Sequence, residues 1–201
     1  MKIICIEGNY CNKKKDLAIL KEPVFFLKPE SSVLRNNLPF FIPDHSKKII
    51  PRINIVLKIC RLGKNIQEKF AHLYYNEISL GVDMEATDVL GNCKKLGLPW
   101  EAAKSFDCSS PLGNFISIKE FNNLSAISFS ININNNCICK SSTSQMLFSF
   151  DKIISYISKY VTLKTGDYIF TGSPEINYTT KLNDHIECFI ENKVMLAFNV
   201  K

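Results

Sequence analysis

The chain lacks any hydrophobic run long enough to cross a membrane. Its 201 residues contain no apolar stretch close to the roughly 20 residues that a membrane helix needs. The apolar run near the N-terminus stops at Glu7, which is too short for an export signal and predicts a first β-strand instead. We therefore expect one domain over residues 1–201, a cytoplasmic location and no membrane partner.

Arginine is also scarce. Only Arg35, Arg52 and Arg61 are present, so the net charge of +6 comes almost wholly from lysine. The lysines are scattered, and their densest run is 13–15. Proteins that bind nucleic acids more often cluster arginine with aromatic side chains. We therefore expect no nucleic-acid partner.

Paired cysteine motifs are missing too. The chain has eight cysteines without regular spacing, and Cys137 and Cys139 form the only close pair. Structural zinc sites use paired Cys-x-x-Cys motifs, which are absent here. The sequence predicts free thiols that pack as small apolar side chains.

Helix signals are few. Residues 65–75 begin with a capping-box pattern, residues 87–96 are followed by Gly97 as a stop signal, and residues 149–161 carry an apolar face at helical spacing. Elsewhere, short runs with strand patterns are separated by turns, and two hairpins are expected around 132–136 and 191–193. This pattern predicts an α+β domain that is mainly β.

The strand predicted at residues 52–60 carries polar side chains on one face. Ile53, Ile55 and the following alternate residues are apolar, whereas Arg52 and Asn54 occupy the other set of positions. Because strand side chains alternate between two faces, Arg52 and Asn54 point the same way.

Seven segments, in order and spacing, resemble the fumarylacetoacetate hydrolase family over essentially the whole chain. The most informative one runs from Gly81 to Asp107 and contains Asp83 and Lys104. The resemblance is greatest to the small, single-domain branch with acylpyruvate hydrolases, oxaloacetate decarboxylases and dioate isomerases. The seven segments are Gly8-Asn9-Tyr10, residues 26–29, Asp83 with Asp88, residues 97–100, residues 103–107, residues 165–167 and residues 171–174.

This resemblance implies a mixed β-roll of the kind found in the C-terminal domain of fumarylacetoacetate hydrolase, usually as a homodimer. It implies Mg²⁺ or Mn²⁺ held by three carboxylates, with the metal acting as a Lewis acid on a small 2-oxo or β-dicarbonyl acid. The implied reactions are C–C bond hydrolysis, decarboxylation or isomerisation. By position, the resemblance implies Asp83 as a metal ligand, Lys104 and Asp16 as catalytic residues, and Lys28, Thr171 and Ser173 as substrate-binding residues.

Several positions depart from the family pattern. The two metal-binding glutamates correspond to Arg52 and Asn54, and the catalytic histidine corresponds to Lys13. A guanidinium offers no lone pair to a metal and repels it. We therefore expect Arg52 to neutralise Asp83, Mg²⁺ or Mn²⁺ to be lost, and catalysis to be absent or much reduced.

Two classes of function stay open at this point. One is a non-catalytic protein that keeps the fold to bind a small carboxylate, to pair with a partner, or only as a decaying remnant of an enzyme. The other is an active hydrolase or decarboxylase whose metal site is rebuilt from Asp83, Glu85 and Asn54, since amide and carboxylate oxygens are ligands for hard cations.

Overall fold

The computed structural model describes residues 1–10 and 20–201. Lys13 and Asp16 lie outside the described residues. Helices α1, α2 and α3 span Thr87–Leu96, Glu101–Lys104 and Phe150–Tyr160. The strands are β1 (Ile3–Glu7), β2 (Val24–Lys28), β3 (Val33–Leu34), β4 (Ile49–Ile59), β5 (Tyr75–Ala86), β6 (Ser110–Pro111), β7 (Ile116–Ser117), β8 (Ser128–Ile133), β9 (Asn136–Ser142), β10 (Tyr168–Phe170), β11 (His185–Ile190) and β12 (Lys193–Asn199).

Two sheets carry most of the fold. A mixed six-stranded sheet has the order β2-β1-β10-β4-β5-β7, and a four-stranded sheet has the order β12-β11-β8-β9. In the larger sheet β1 pairs with β10 in parallel, whereas β4 and β5 form a long antiparallel pair in which Ile49 lies opposite Ala86 and Ile59 lies opposite Tyr75. Strands β3 and β6 form a short parallel pair. The predicted mainly β, α+β class is confirmed.

The main core lies between the two sheets and helix α3. Side chains from β1, β4 and β5 pack there against residues of β8, β11 and β12. A smaller apolar cluster, which includes Cys5, Val56 and Phe170, lies on the opposite face of the six-stranded sheet. This opposite face also receives the polar side chains of the site, because alternate residues of each strand point to it.

Strand β4 alternates as the sequence predicts. Ile53, Ile55 and Leu57 are fully buried in the main core. Arg52 and Asn54 share the other face with Val56. The strand runs from Ile49 to Ile59, so it begins three residues before the predicted span of 52–60 and ends one residue before its end.

The helix predictions are confirmed at two of three places. Helix α1 has the predicted bounds, and α3 lies within 149–161, where the Ser149 side chain accepts a hydrogen bond from the Lys152 amide. The helix predicted at 65–75 is wrong: Glu68–Tyr74 forms a 3₁₀ helix. Asn65 has a positive φ of 53°, which differs from the extended conformation of a helix N-cap residue.

The predicted hairpins are confirmed as β8 with β9 and β11 with β12. The seven cysteines among the described residues are free thiols, as expected. In residues 1–10 and 20–201, no helix has the length and apolar character to cross a membrane.

Two glycines provide a matched test of the packing. A Cβ at Gly113 would lie 2.2 Å from the Met195 carbonyl oxygen, whereas a Cβ at Gly91 in α1 would meet no atom within 4 Å. We expect Gly113→Ala to lower the free energy of unfolding by about 1–3 kcal/mol through overpacking. Gly91→Ala should raise it by up to about 1 kcal/mol through helix propensity. Urea denaturation of both variants measures the difference, and equal effects would contradict the packing described here.

Candidate active site

A cavity of about 170 Å³ opens at the polar face of the six-stranded sheet. It lies where β1, β10, β4 and β5 come together beneath helix α2. Its lining includes Glu7, Tyr10, Arg52, Asn54, Asp83, Lys104, Ser173 and Glu175. A larger cavity of about 440 Å³ lies elsewhere, beside Tyr75 and Phe150, and contains none of the predicted site residues.

The register of β4 and β5 brings the site residues together. Arg52 lies opposite Asp83, and Asn54 lies opposite Gly81. Glu85 is two residues beyond Asp83, so it points to the same face and lies diagonally across from Arg52. Asp83 and Glu85 are both buried.

Lys104 is the central cation. It is the last residue of α2, and its side chain is 2% exposed. Its ammonium lies 3.2 Å from Asp83 Oδ2, 3.2 Å from Glu7 Oε2, and in direct ion-pair contact with Glu85 Oε2. One buried ammonium therefore holds three carboxylates.

Lys28 forms the second buried ion pair. Its ammonium lies 2.5 Å from Asp83 Oδ1 and donates to the hydroxyls of Ser109 and Ser110, each at 3.1 Å. The side chain of Lys28 has no exposed area and does not line the cavity. Its predicted substrate-binding role stays a prediction.

These contacts fix the protonation states of the buried groups. Burial alone would raise the pKa of Asp83, but the charges of Lys104 and Lys28 hold it below its usual range. Burial alone would lower the pKa of Lys104, yet the neighbouring carboxylates hold it above its usual range. Both groups are therefore charged at neutral pH.

The expected ion pair between Arg52 and Asp83 is wrong. Among the described residues, Arg52 pairs instead with Glu85, whose Oε1 lies 3.0 Å from the guanidinium. Asp83 is held on both oxygens by Lys28 and Lys104. The guanidinium therefore reaches diagonally along the sheet to the next carboxylate of β5.

Asn54 holds the turn after β10. Its Oδ1 accepts from the Gly172 amide at 2.9 Å, and its Nδ2 donates to the Arg52 carbonyl at 2.9 Å. Gly172 has φ of +105°, and a Cβ there would lie 2.7 Å from the Cβ of Asn9. Only glycine fits this position without strain.

The two predicted hydroxyl groups differ in placement. Ser173 lines the cavity, and its hydroxyl donates to the Pro174 carbonyl at 2.9 Å. Thr171 is buried, and its hydroxyl donates to the Ile55 carbonyl at 2.9 Å. Ser173 is therefore placed to meet a ligand in the cavity, whereas Thr171 anchors β10 to β4.

Besides Glu175, Glu7 is a cavity-lining residue that sequence reasoning missed. It ends strand β1 and shares a face with Cys5, two residues earlier, which lines the same cavity. The available signal was a charged residue at the end of an apolar strand. That signal does not identify a partner, because Lys104 is 97 residues away in the chain.

The comparison with known sequences decides the family. The sequence model of the fumarylacetoacetate hydrolase C-terminal domain matches residues 2–201. The chain belongs to the fumarylacetoacetate hydrolase family.

Two relatives of this family member are named for reactions of oxaloacetate. A mitochondrial oxaloacetate tautomerase of Rattus norvegicus is 35% identical over 201 residues, with 99% of this chain and 91% of the relative covered. A mitochondrial oxaloacetate decarboxylase of Dictyostelium discoideum is 33% identical over 192 residues, with 94% and 88% covered.

A solved structure supports the same fold. The fumarylpyruvate hydrolase of Pseudomonas aeruginosa, in complex with Mn²⁺ and pyruvate, superposes with a TM-score of 0.92. It is 24% identical, and the match covers 100% of this chain and 89% of that one. The predicted β-roll of the fumarylacetoacetate hydrolase type is thereby confirmed as the fold of this family member.

The oxygens that this family member could offer to Mg²⁺ or Mn²⁺ contact other groups in this structure. Both oxygens of Asp83 and both oxygens of Glu85 contact cationic side chains. The Asn54 oxygen is occupied by the Gly172 amide. In the described part of the chain, no group of three or more His, Cys, Asp or Glu side chains is arranged to hold a metal.

Proposed function

We propose that this family member has lost, or retains at a much reduced level, the metal-dependent chemistry of its relatives. The observation that supports the proposal is the array of ion pairs that links Arg52, Glu85, Lys104 and Asp83. A divalent ion would have to displace ammonium and guanidinium groups from these oxygens, and the displaced buried charges would then be left without partners. The family fold is thus kept with internal cations at the metal position.

Lys104 offers little replacement chemistry. A lysine that acts as a base or forms a Schiff base needs a depressed pKa, whereas the pKa of Lys104 is raised. Its ammonium could still donate a hydrogen bond to a developing oxyanion. The catalytic role that we propose for Lys104 is therefore electrostatic stabilisation.

The alternative is an active enzyme with a metal site rebuilt from Asp83 and Glu85. The positions of these two carboxylates on one face of β5 favour it. It requires Lys104 and Arg52 to move away when metal enters. Fast turnover that depends on Mn²⁺ would establish this alternative.

The remaining parts of the proposal follow from the family resemblance. We propose a homodimer whose ligand, if it has one, is a small carboxylate, without a nucleic-acid or membrane partner. The rat and Dictyostelium relatives are named mitochondrial, whereas the sequence predicts a cytoplasmic protein. The cytoplasmic location and the roles of Lys13 and Asp16 stay predictions.

An oxaloacetate assay tests this proposal. The purified protein is mixed with oxaloacetate and Mn²⁺, and both tautomerisation and decarboxylation are followed, with the rat tautomerase as positive control. We expect rates at least about 1,000-fold below the control, which corresponds to about 4 kcal/mol in the activation barrier. Rates within tenfold of the control would overturn the proposal.

A further inference from the structure

The cavity of about 440 Å³ beside Tyr75 and Phe150 shares no lining residue with the cavity that contains Asp83 and Lys104. It opens where the first turn of α3 meets the segments before β8 and after β9. Its volume lies within the roughly 300–1,000 Å³ that is usual for pockets that bind small molecules. The cavity therefore has the size to hold a ligand of its own.

This cavity has an apolar floor and a polar rim. Tyr75 and Phe150 are buried at the floor, and their rings meet edge to face with centroids 6.0 Å apart. The apolar lining consists of Tyr75, Leu124, Met146, Leu147 and Phe150. Three exposed serines line the rim, namely Ser125, Ser144 and Ser149. A ligand can bury one apolar group against the floor, and its polar group must then find a partner on the wall.

Asp151 offers that partner. It is the one charged side chain among the described residues that line the cavity. Its Oδ1 accepts a hydrogen bond from the Tyr75 hydroxyl at 3.3 Å, and within residues 1–10 and 20–201 its Oδ2 has no hydrogen-bond partner. The neighbouring Lys152 pairs with Glu68 at 3.8 Å instead. One carboxylate oxygen therefore stays available to a ligand.

The negative charge of Asp151 is incompletely compensated. Burial raises the pKa of its carboxyl group, and the nearby Glu68 raises it further. The Tyr75 hydroxyl and His72 act in the opposite direction but offset the rise only in part. A positively charged ligand group would stabilise the carboxylate, because an opposite charge favours the ionised form. A ligand carboxylate would instead add a second negative charge.

We propose that this cavity binds a small primary amine as its ammonium ion, with the ammonium on Asp151 and the apolar group against Tyr75 and Phe150. An ammonium has three N–H donors. Besides Oδ2 of Asp151, it can use the Ser149 hydroxyl oxygen, which accepts from the Lys152 amide at 3.2 Å and keeps a second lone pair. The inference does not depend on the proposed loss of metal chemistry, because it concerns other residues.

NMR titration of ¹⁵N-labelled protein with three benzyl compounds tests the inference. Benzylamine, benzyl alcohol and benzoate share one ring and carry a positive, a neutral and a negative polar group at pH 7.5. We expect benzylamine to bind at least about tenfold more tightly than benzyl alcohol, the value of one charge-assisted hydrogen bond. Equal affinities, tighter benzoate binding, or no binding of benzylamine up to about 10 mM would overturn the inference.

The position of the chemical-shift changes is a second readout. Benzylamine should shift the amide signals of Tyr75 and of residues 143–151, which line or adjoin the cavity. Changes confined to the residues around Asp83 and Lys104 would place the amine in the other cavity and would overturn the inference.

Asp151→Asn isolates the charge, because an asparagine oxygen can still accept from the Tyr75 hydroxyl. We expect the affinity for benzylamine to fall by about tenfold, while the affinity for benzyl alcohol changes by less than about twofold. The matched control is Asp44→Asn, at an exposed position outside the cavity, which should change neither affinity. If Asp151→Asn binds benzylamine as tightly as the unaltered protein, Asp151 does not hold the ammonium and the inference fails.

Discussion

Replacing Lys104 with methionine is expected to destabilise the fold by about 3–5 kcal/mol at neutral pH, the usual effect of removing one partner from a buried ion pair. The substitution leaves Glu7, Asp83 and Glu85 on one sheet face without their shared ammonium. Lys28 and Arg52 remain, so the cluster then carries one excess negative charge. Urea denaturation at pH 7.5 measures the loss.

The loss of stability caused by Lys104→Met should depend on pH, and the direction follows from the pKa of Asp83. In the unaltered protein the pKa of Asp83 is lowered, so its contribution to stability is present above the ordinary carboxyl pKa near 3.9 and is lost as the pH falls through the lower folded value. In Lys104→Met the pKa of Asp83 rises relative to the unaltered protein. The deficit in unfolding free energy should therefore shrink as the pH falls through and below the ordinary carboxyl pKa near 3.9.

A matched control is Lys95→Met on the exposed side of α1, which should change the stability by less than about 0.5 kcal/mol. A loss below about 1 kcal/mol for Lys104→Met would contradict the assignment of Lys104 as the buried counter-ion of three carboxylates.

The second large effect is expected from restoring two carboxylates. Arg52→Glu with Asn54→Glu removes one positive charge and adds two negative charges on the face that holds Asp83. The two new carboxylates then offer oxygen ligands to a divalent ion at the positions where Arg52 would repel it. We expect the affinity for Mn²⁺ to rise at least about 100-fold, or about 2.7 kcal/mol, as measured by calorimetry.

The control must carry the same change in charge. Arg61→Glu with Asn122→Glu places it at partly or fully exposed positions away from the cavity, and its affinity for Mn²⁺ should stay near that of the unaltered protein. If the affinity for Mn²⁺ rises equally in both double variants, net charge and not the site geometry would explain the binding. If the affinity rises in neither variant, β4 does not face a potential metal site.

The sequence predicts the sheet face of the site but not its pairings. Alternation along β4 places Arg52 and Asn54 together, because strand geometry has a period of two. The choice of Glu85 over Asp83 as the partner of Arg52 depends on Lys28 and Lys104, which come from distant parts of the chain. No local sequence pattern indicates which of these three cations pairs with which carboxylate.

Tertiary contacts also explain two other differences between the sequence-based predictions and the structure. Residues 65–75 carry a capping-box pattern but form a 3₁₀ helix, because Asn65 adopts a positive φ and donates its amide to the Ser158 carbonyl on α3. Glu7 joins the site only because β1 lies beside β10 in the six-stranded sheet. Both outcomes are set by tertiary contacts, which a single sequence does not reveal.

The most direct test of the central claim is calorimetric titration of the unaltered protein with Mg²⁺ and Mn²⁺ at pH 7.5. Because Lys104, Lys28 and Arg52 occupy the oxygens of Asp83 and Glu85, we predict no binding stronger than about 1 mM for either ion. Binding with a dissociation constant near 1 μM, about 4 kcal/mol stronger, would contradict the account of a site neutralised by its own cations.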